Sequence, residues 1–221
     1  MTLNGCKLTY FGIPGRGEAI RLALFLGDID FNDDRIGFGD WKALKPNTPW
    51  GSLPVLTLSD GTQIAQTRAI LRFVGKETAL YPTENHVKAA KVDELLDAVE
   101  EMGPKIMDAG RGMEEKERLQ ARKVACEEGG AVYNLLVKIN DSIGSNGFAV
   151  GDSLTIADLF LYAGANNLIS GLFDGVPTNA LDGHANIMAL RKNVRSNPGV
   201  TKWYDKLKES SVDVPAPYAA F

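Results

Sequence analysis

Tyr10 is the first residue of this sequence whose type and position suggest chemistry. It lies in KLTYFGIPGRGEAIRLALFLG, residues 7–27, where an alternating strand pattern meets a loop of Gly and Pro and then an amphipathic helix. A Cys-x-x-Cys motif at such a junction would indicate a disulfide oxidoreductase, and the sequence has none. A phenol, with an ordinary pKa of about 10, is a poor nucleophile but a good hydrogen-bond donor. We therefore predict that Tyr10 stabilises an anion supplied by a substrate, for example a thiolate.

The same loop could be taken for a dinucleotide-binding motif, because Gly15 and Gly17 are spaced as at the start of that motif. Ile20 stands where the motif requires Gly or Ala. The sequence also lacks the long series of βαβ units that a dinucleotide-binding sheet needs. We therefore reject this interpretation.

A second candidate is the segment GSLPVL, in which Pro54 opens a strand pattern. A cis Leu53–Pro54 peptide bond would turn the backbone N–H and C=O of Leu53 outward, where they could pair with an extended peptide. A trans proline at the start of an edge strand is the alternative. The sequence leaves both open.

A third candidate, QTRAI, begins with Gln66 and Thr67 directly before a helical pattern. Free backbone N–H groups and the helix dipole attract a carboxylate at such a position. Thr67 is equally typical of an ordinary N-cap, whereas Gln66 is not a preferred capping residue. The pair therefore indicates a helix start that binds a carboxylate, with simple capping by Thr67 as the alternative.

The elements that position these residues fall into two halves. Up to about Leu80 the pattern runs βαβ and then ββα, with Ser59-Asp60-Gly61 as a hairpin turn, which is typical of a small α/β sandwich. Beyond the polar stretch LYPTENH, nearly every apolar repeat has helical spacing. We predict a first domain over residues 1–81, a linker over 82–87 and a helical domain over 88–221.

Two local signals organise the helical half. Gly103-Pro104 should bend or break its first long helix. Within LTIADL, Thr155 and Asp158 form a capping box, which we assign to folding rather than to chemistry. Further helices are predicted near residues 116–139, 155–169, 185–195 and 200–209.

Composition argues against several classes of protein. Of 221 residues, 44% are apolar and 24% are charged, which is typical of a globular protein. The net charge of −4 and the lack of a basic stripe argue against binding of nucleic acid, and no apolar run is long enough to span a membrane. The N-terminus shows no secretory signal, and Cys6 and Cys126 match neither a metal spacing nor a disulfide framework. We therefore expect a cytoplasmic protein.

Taken in order, Tyr10 after the first strand, WKALK followed by GSLPVL, QTRAI, the linker and LTIADL resemble the cytosolic glutathione S-transferases. The likeness covers essentially the whole chain and is strongest to the tyrosine-using sigma class, with its alpha, mu and pi relatives. It implies an α+β thioredoxin-like N-terminal domain that binds glutathione and an all-α helical C-terminal domain. It also implies a homodimeric detoxification enzyme that joins glutathione, its co-substrate, to hydrophobic electrophiles.

The resemblance further implies roles for individual residues. Tyr10 would donate its hydroxyl to the glutathione sulfur, and Arg16 would support the thiolate electrostatically. The other implied contacts are Trp41 and Lys45 for the glycine carboxylate, Leu53 with Pro54 in cis for the cysteinyl backbone, and Gln66 with Thr67 for the γ-glutamyl carboxylate. Ser52 stands where relatives usually carry Gln or Lys, which predicts a weaker contact with the glycine carboxylate.

Asp93, Asp97 and Glu100 lie at spacings of four and three residues, on one face of the first long helix. Such a carboxylate face is usually just solvated. In the family, an acid near Asp97 reaches across the dimer interface toward the γ-glutamyl ammonium of the neighbour's glutathione, so Asp97 is included among the predicted contacts. Some sigma-class prostaglandin synthases hold a divalent metal among such acids; we predict no metal here, and the three carboxylates leave that alternative open.

The electrophile pocket is predicted between the domains, with Ile13, Met102, Met107 and Phe221 in its lining. Methionines would give it an adaptable wall, although they could equally belong to the core. Two other functions remain open: a glutathione-dependent isomerase of the prostaglandin D synthase kind, and a crystallin-like binding protein without catalysis. Intact Tyr10 argues against the latter, since a packing role needs no thiolate donor.

Overall fold

The first half of the chain builds a four-stranded sheet with helices packed on it. The computed structural model describes residues 3–210, 212 and 215–219. In chain order the elements of this half are β1 (Cys6–Phe11), α1 (Glu18–Leu26), β2 (Phe31–Ile36), α2 (Trp41–Leu44), β3 (Val55–Thr57), β4 (Gln63–Ala65) and α3 (Thr67–Glu77), with single 3₁₀ turns at Gly15–Gly17 and Lys45–Asn47.

The strand order is β2-β1-β3-β4, with β1 parallel to β2 and antiparallel to β3. The crossover between the two parallel strands is α1, whose apolar side is fully buried. Register places Leu8 of β1 opposite Leu56 of β3, and Tyr10 near the end of β1 opposite Arg35 of β2. The sheet therefore confirms the predicted thioredoxin-like first half and presents Tyr10 at the carboxyl end of a central strand.

The hairpin between β3 and β4 follows the predicted turn. Leu58 N–H donates to Thr62 C=O at 2.8 Å, and the carboxylate of Asp60 accepts a bond from Thr62 N–H at 2.8 Å. Gly61 has a φ of +87°, which a residue with a side chain rarely adopts. The sequence Ser-Asp-Gly thus specifies the turn through an aspartate bond to the backbone and a glycine in the left-handed region.

The second half is helical. Its elements are α4 (His86–Glu100), α5 (Met102–Asp108), α6 (Glu115–Ala125), α7 (Ala131–Ser142), α8 (Ile156–Leu168), α9 (Ala185–Ser196), α10 (Pro198–Glu209) and α11 (Ala216–Ala219). The side chain of Asn85 caps α4 by accepting the N–H of Lys88 at 2.9 Å. Because α4 begins at His86, the predicted linker 82–87 includes the first two residues of that helix.

Helix α8 is the centre of this half. Nearly every one of its residues is buried, and it packs against α1, α4 and α9. The predicted capping box is present: Thr155 N–H donates to the Asp158 carboxylate at 2.8 Å, and the same carboxylate accepts Ala149 N–H at 2.6 Å. Asp158 therefore joins the start of α8 to the loop that precedes it.

The prediction of one helix over residues 116–139 is wrong, because the segment divides into α6 and α7. Gly129 between them has a φ of +85°, and a Cβ on Gly130 would lie 2.4 Å from the carbonyl oxygen of Ala125. These two glycines allow a tight turn that the helical spacing on both sides conceals. A break is present two residues before the predicted Gly103, at Glu101, where α4 ends at Glu100 and α5 begins at Met102; Gly103 and Pro104 lie in the first turn of α5.

Both cysteines are buried free thiols in the core, and burial raises the pKa of Cys6 and of Cys126 to about 11. They are therefore inert packing residues. Across the described part of the chain, no helix combines the length and the apolar character needed to cross a bilayer.

Candidate active site

Tyr10 is held in the interior with its hydroxyl beside a backbone donor. The residue is 7% exposed, and its oxygen accepts the backbone N–H of Arg16 at 3.0 Å. Burial raises the pKa of Tyr10, although the Arg16 N–H and the charges of Arg16 and Arg21 act in the opposite direction. Within residues 3–210 no acceptor takes the O–H proton of Tyr10. The phenol is therefore a protonated donor that is free to bind an added anion.

Two glycines let the following loop close over the Tyr10 ring. Gly15 has a φ of +44°, and a Cβ there would lie 2.5 Å from the Tyr10 hydroxyl oxygen. A Cβ on Gly17 would lie 2.7 Å from a ring carbon of Tyr10. Both distances are too short for real contacts, so these glycines serve close backbone approach to the phenol and not to a dinucleotide.

Arg21 holds this loop in place, and sequence reasoning missed it. Its guanidinium is fully buried and donates to the backbone C=O of Phe11 at 3.0 Å and of Ile13 at 2.9 Å. It also stands 5.7 Å from the centre of the Tyr10 ring. One signal in the sequence could have revealed it: Arg21 is the single charged residue in the apolar run IRLALFLG. A cation in such a run is expected to be buried and to need buried partners.

Those partners are two carboxylates. Arg21 contacts Asp33 on β2 at 2.8 Å and Glu18, one turn earlier on α1, at 3.3 Å. Glu18 also accepts the indole N–H of Trp203 from α10 at 2.9 Å. A continuous chain of bonds therefore runs from the helical half through Glu18 and Arg21 to the backbone beside Tyr10.

An open, charged cleft of about 450 Å³ lies between the start of α3 and α4, and we call it the outer cleft. It is lined by Arg16, Gln66, Thr67, Arg68, Ala69, Arg72, Asp97 and Glu100. Gln66 has a φ of +73° at the N-cap of α3, an unusual backbone conformation that turns the chain into the helix. Such conformations cluster at ligand sites.

Residues 11–17, between Tyr10 and α1, form a loop that we call the Tyr10 loop. A second, apolar cleft of about 90 Å³ lies between this loop and the helical half, and we call it the inner cleft. It is lined by Gly15, Arg16, Val99, Glu100, Met102, Gly103, Ile106, Phe160, Ala163, Gly164, Asn167, Leu168 and Phe173. Arg16 and Glu100 line both clefts. The two clefts are therefore adjacent. Tyr10 lines neither of them, but its hydroxyl accepts the backbone N–H of the shared residue Arg16.

Comparison with known proteins decides the family. Residues 6–76 match the family model "Glutathione S-transferase, N-terminal domain", and residues 105–206 match "Glutathione S-transferase, C-terminal domain". Glutathione S-transferase 1 of Ascaris suum is 34% identical over 201 residues, covering 89% of this chain and 94% of the relative. The chain belongs to the glutathione S-transferase family. It is thus an enzyme of the transferase class with a thioredoxin-like first half.

Prostaglandin synthases also resemble this transferase. The human hematopoietic prostaglandin D synthase is 27% identical over 209 residues, covering 93% of this chain and 98% of the relative. The structure of prostaglandin synthase D of Nilaparvata lugens superposes with a TM-score of 0.81 at 28% identity, covering 96% of this chain and all of the other. The glutathione S-transferase of Ascaris lumbricoides gives 0.71 at 30% identity, with 97% and 100% covered.

Only some of the residues predicted to contact glutathione lie in one cavity. Arg16, Gln66, Thr67 and Asp97 line the outer cleft. The Leu53–Pro54 peptide bond is cis, as predicted, and lies just before β3.

Trp41 and Lys45 line neither of the two clefts. Trp41 makes an edge contact with Phe11 at 6.0 Å between ring centres. The exposed side chain of Lys45 passes over Gly51. Their contact with a glycine carboxylate therefore stays a prediction.

Asp97 and its acidic neighbours on α4 are paired with arginines in this structure. Arg72 donates to Asp93 at 2.6 Å and to Asp97 at 3.4 Å, and Arg68 also contacts Asp97. Among the described residues no group of three or more histidine, cysteine or acidic side chains is arranged to hold a metal ion. The contact predicted for Asp97 across a dimer would compete with these pairs.

Of the described residues predicted to line the electrophile pocket, only one lines the inner cleft. Met102 lines the inner cleft, whereas Met107 is 50% exposed and its sulfur accepts a bond from Arg122 at 3.6 Å. Met107 follows the lining residue Ile106 directly, so the helix turns it to another face. Ile13 is half-buried outside the lining, with its carbonyl bound by Arg21.

Phe221 lies outside the described residues. Tyr218, from the same tail, is buried behind the inner cleft. It donates to the carbonyl of Ala163 and to Asn167, both at 2.8 Å.

Proposed function

We propose that this transferase activates glutathione with Tyr10 and joins it to hydrophobic electrophiles. The observation that carries the proposal is the buried Tyr10 hydroxyl, kept protonated and bonded to the backbone of Arg16, a residue that lines both a charged cleft and an apolar cleft. The charged cleft suits a zwitterionic peptide, and the apolar cleft suits an uncharged carbon electrophile. The sulfur would then lie between them, next to the phenol.

The hydrogen bond from Tyr10 is strong enough to ionise the sulfur. A free thiol has a pKa of about 8.5, and each unit of lowering corresponds to about 1.4 kcal/mol. A charge-assisted bond in a partly dry site contributes about 1.5–3 kcal/mol. This would turn a mostly protonated thiol into a mostly ionised one near neutral pH. Because burial raises the pKa of Tyr10, the phenol stays a donor under the same conditions.

Glutathione would lie along the outer cleft toward the sheet. Gln66 and Thr67 receive the γ-glutamyl carboxylate at the start of α3, where free N–H groups and the helix dipole favour an anion. The backbone of Leu53 pairs with the cysteinyl unit. Trp41 and Lys45 bind the glycine carboxylate at the far end.

In solution we expect a cytoplasmic homodimer that serves detoxification. The arginines beside Asp97 belong to the same chain, and the residue is 59% exposed, so it remains open to a neighbouring subunit. In that arrangement Asp97 would approach the γ-glutamyl ammonium of the partner's glutathione.

A second candidate is a glutathione-dependent isomerase. It is favoured by the close superposition with the prostaglandin synthase D structure of Nilaparvata lugens, at a TM-score of 0.81. The same Tyr10-stabilised thiolate would open a prostaglandin endoperoxide and leave again unchanged. A crystallin-like binding protein is disfavoured, because packing requires no buried phenol with a free proton.

The substitution Tyr10→Phe tests the role of the phenol. We expect the variant to be retained on immobilised glutathione but to turn over an aryl halide roughly 10- to 100-fold more slowly at neutral pH, which is the loss of one charge-assisted bond. Ultraviolet titration of bound glutathione should show the thiol pKa return toward its value in water. Tyr133→Phe, at a partly exposed position on α7, is the matched control.

Unchanged turnover in Tyr10→Phe would refute this role. The isomerase is distinguished by its stoichiometry: conjugation consumes one glutathione per product, whereas isomerisation of an endoperoxide consumes none.

A further inference from the structure

Glu100 has no role in the proposed activation of glutathione, although it stands beside the proposed site. It is the last residue of α4, and its carboxylate lies 2.7 Å from the guanidinium of Arg16 in the Tyr10 loop. This ion pair joins the first half of the chain to the helical half. Both residues line both clefts, so the pair stands at the passage between them.

No other charged side chain in the described part of the chain lines the inner cleft. Among the described residues that line it, all but Arg16, Glu100 and Asn167 are apolar or glycine. The amide oxygen of Asn167 already accepts the hydroxyl of Tyr218 at 2.8 Å. The electrostatic preference of this cleft is therefore set by one cation and one anion.

The two charges oppose each other beside the reacting atom. The backbone N–H of Arg16 binds the Tyr10 hydroxyl, so its side chain leaves the chain next to the place proposed for the sulfur. A guanidinium alone at that point would attract any electrophile that carries a carboxylate. Glu100 cancels this attraction, and it repels an anionic group directly.

We propose that Glu100 determines substrate specificity by making the inner cleft electrically neutral, so that the enzyme selects uncharged electrophiles over anionic ones. This inference rests on the proposed function, since it assumes that glutathione places its sulfur at Tyr10. Glu100 acts here as a specificity-determining residue and donates no proton to the reaction.

The next residue supplies a matched control. Glu101 is also an acid, but it lies between α4 and α5 and pairs with Lys105 of α5 at 3.3 Å. It lies in neither the inner nor the outer cleft. Glu101→Gln therefore removes the same charge from the protein, one residue further from the passage.

The test compares two ligands that differ by one charge. Binding of S-benzylglutathione and of S-(4-carboxybenzyl)glutathione is measured by calorimetry, which requires no turnover. In Glu100→Gln we expect the affinity for the anionic ligand, relative to the neutral one, to rise on the order of tenfold, as for one unit charge removed at moderate distance in a partly buried site. Glu100→Asp and Glu101→Gln should keep the wild-type ratio within about twofold, because the first retains the charge and the second removes a screened one.

The outcomes separate the two proposals. A ratio in Glu100→Gln equal to that in Glu101→Gln overturns the role of Glu100 while leaving the proposed function intact. If the wild-type protein binds neither ligand, the proposed function fails and this inference fails with it. Thermal unfolding of each variant checks its fold, and Glu100→Ser carries the same comparison should Glu100→Gln not fold.

Discussion

Two clusters of arginine and carboxylate in this molecule have similar distances and opposite surroundings. In the interior, Arg21 contacts Glu18 and Asp33 at 3.3 and 2.8 Å, and the Arg21 and Glu18 side chains are at most 1% exposed. On the surface between α3 and α4, Arg72 contacts Asp93 and Asp97 at 2.6 and 3.4 Å, with 29% of the Arg72 side chain exposed. Judged by these distances alone, the two clusters would be expected to contribute equally to stability.

The surroundings give them different roles. Exposed pairs are screened by water and salt, and they contribute little to stability. A buried pair is not screened in this way, and removing one partner is strongly destabilising because it leaves an uncompensated charge in the interior. The buried cluster also binds backbone carbonyls of the Tyr10 loop, whereas the exposed cluster lies in the wall of the outer cleft. We therefore assign the first to positioning the phenol and the second to ligand binding.

Among these substitutions, Arg21→Met should lower the free energy of unfolding the most. Methionine removes the guanidinium from Glu18 and Asp33, which keep only Trp203 and Arg35 as partners, and takes its donors from the carbonyls of Phe11 and Ile13. We expect the free energy of unfolding, measured with urea, to fall by about 3–5 kcal/mol. Turnover should fall as well, because the Tyr10 loop loses its anchor.

The control is Arg111→Met, which removes an arginine whose side chain is 73% exposed and which contacts Asp108 on the surface. Equal losses of stability in the two variants would contradict the assignment of Arg21 to the interior cluster.

Trp203→Phe should lower the free energy of unfolding by an intermediate amount. Phenylalanine keeps an aromatic ring against Phe25 and Phe31 but removes the indole N–H that Glu18 accepts. Leaving one acceptor of a buried carboxylate unpaired costs about 1–3 kcal/mol in the free energy of unfolding. Trp50→Phe, at a position 73% exposed, is the matched control and should change little. A loss no greater than that of the control would mean that the bond across the two halves does not stabilise the fold.

Asp97→Asn should give the smallest effect on stability. The residue keeps its shape, and Arg72 keeps Asp93 as a partner. We expect the free energy of unfolding to change by less than about 1 kcal/mol, and the change should shrink further at high salt. A loss above about 2 kcal/mol in low-salt urea unfolding would show that the surface cluster behaves like the interior one.

The local features of the chain were predictable from the sequence because their causes lie within a few residues. The hairpin at Asp60 and Gly61, the capping box of Thr155 and Asp158, and the strand that ends near Tyr10 each follow from short patterns. The division into a sheet half and a helical half follows from a change in the apolar period. The break at Gly129 was missed, because two glycines interrupt a spacing that is helical on both sides.

What the sequence by itself determined was the type of site: a phenol at the end of a strand, followed by glycines and a helix start suited to a carboxylate. Only the tertiary structure decided which distant groups support it. Glu18 and Trp203 are 185 residues apart, and Arg16 meets Glu100 across the boundary between the two halves. Side-chain periodicity tells which residues face inward, but the partner that each buried charge finds depends on how whole elements pack against each other.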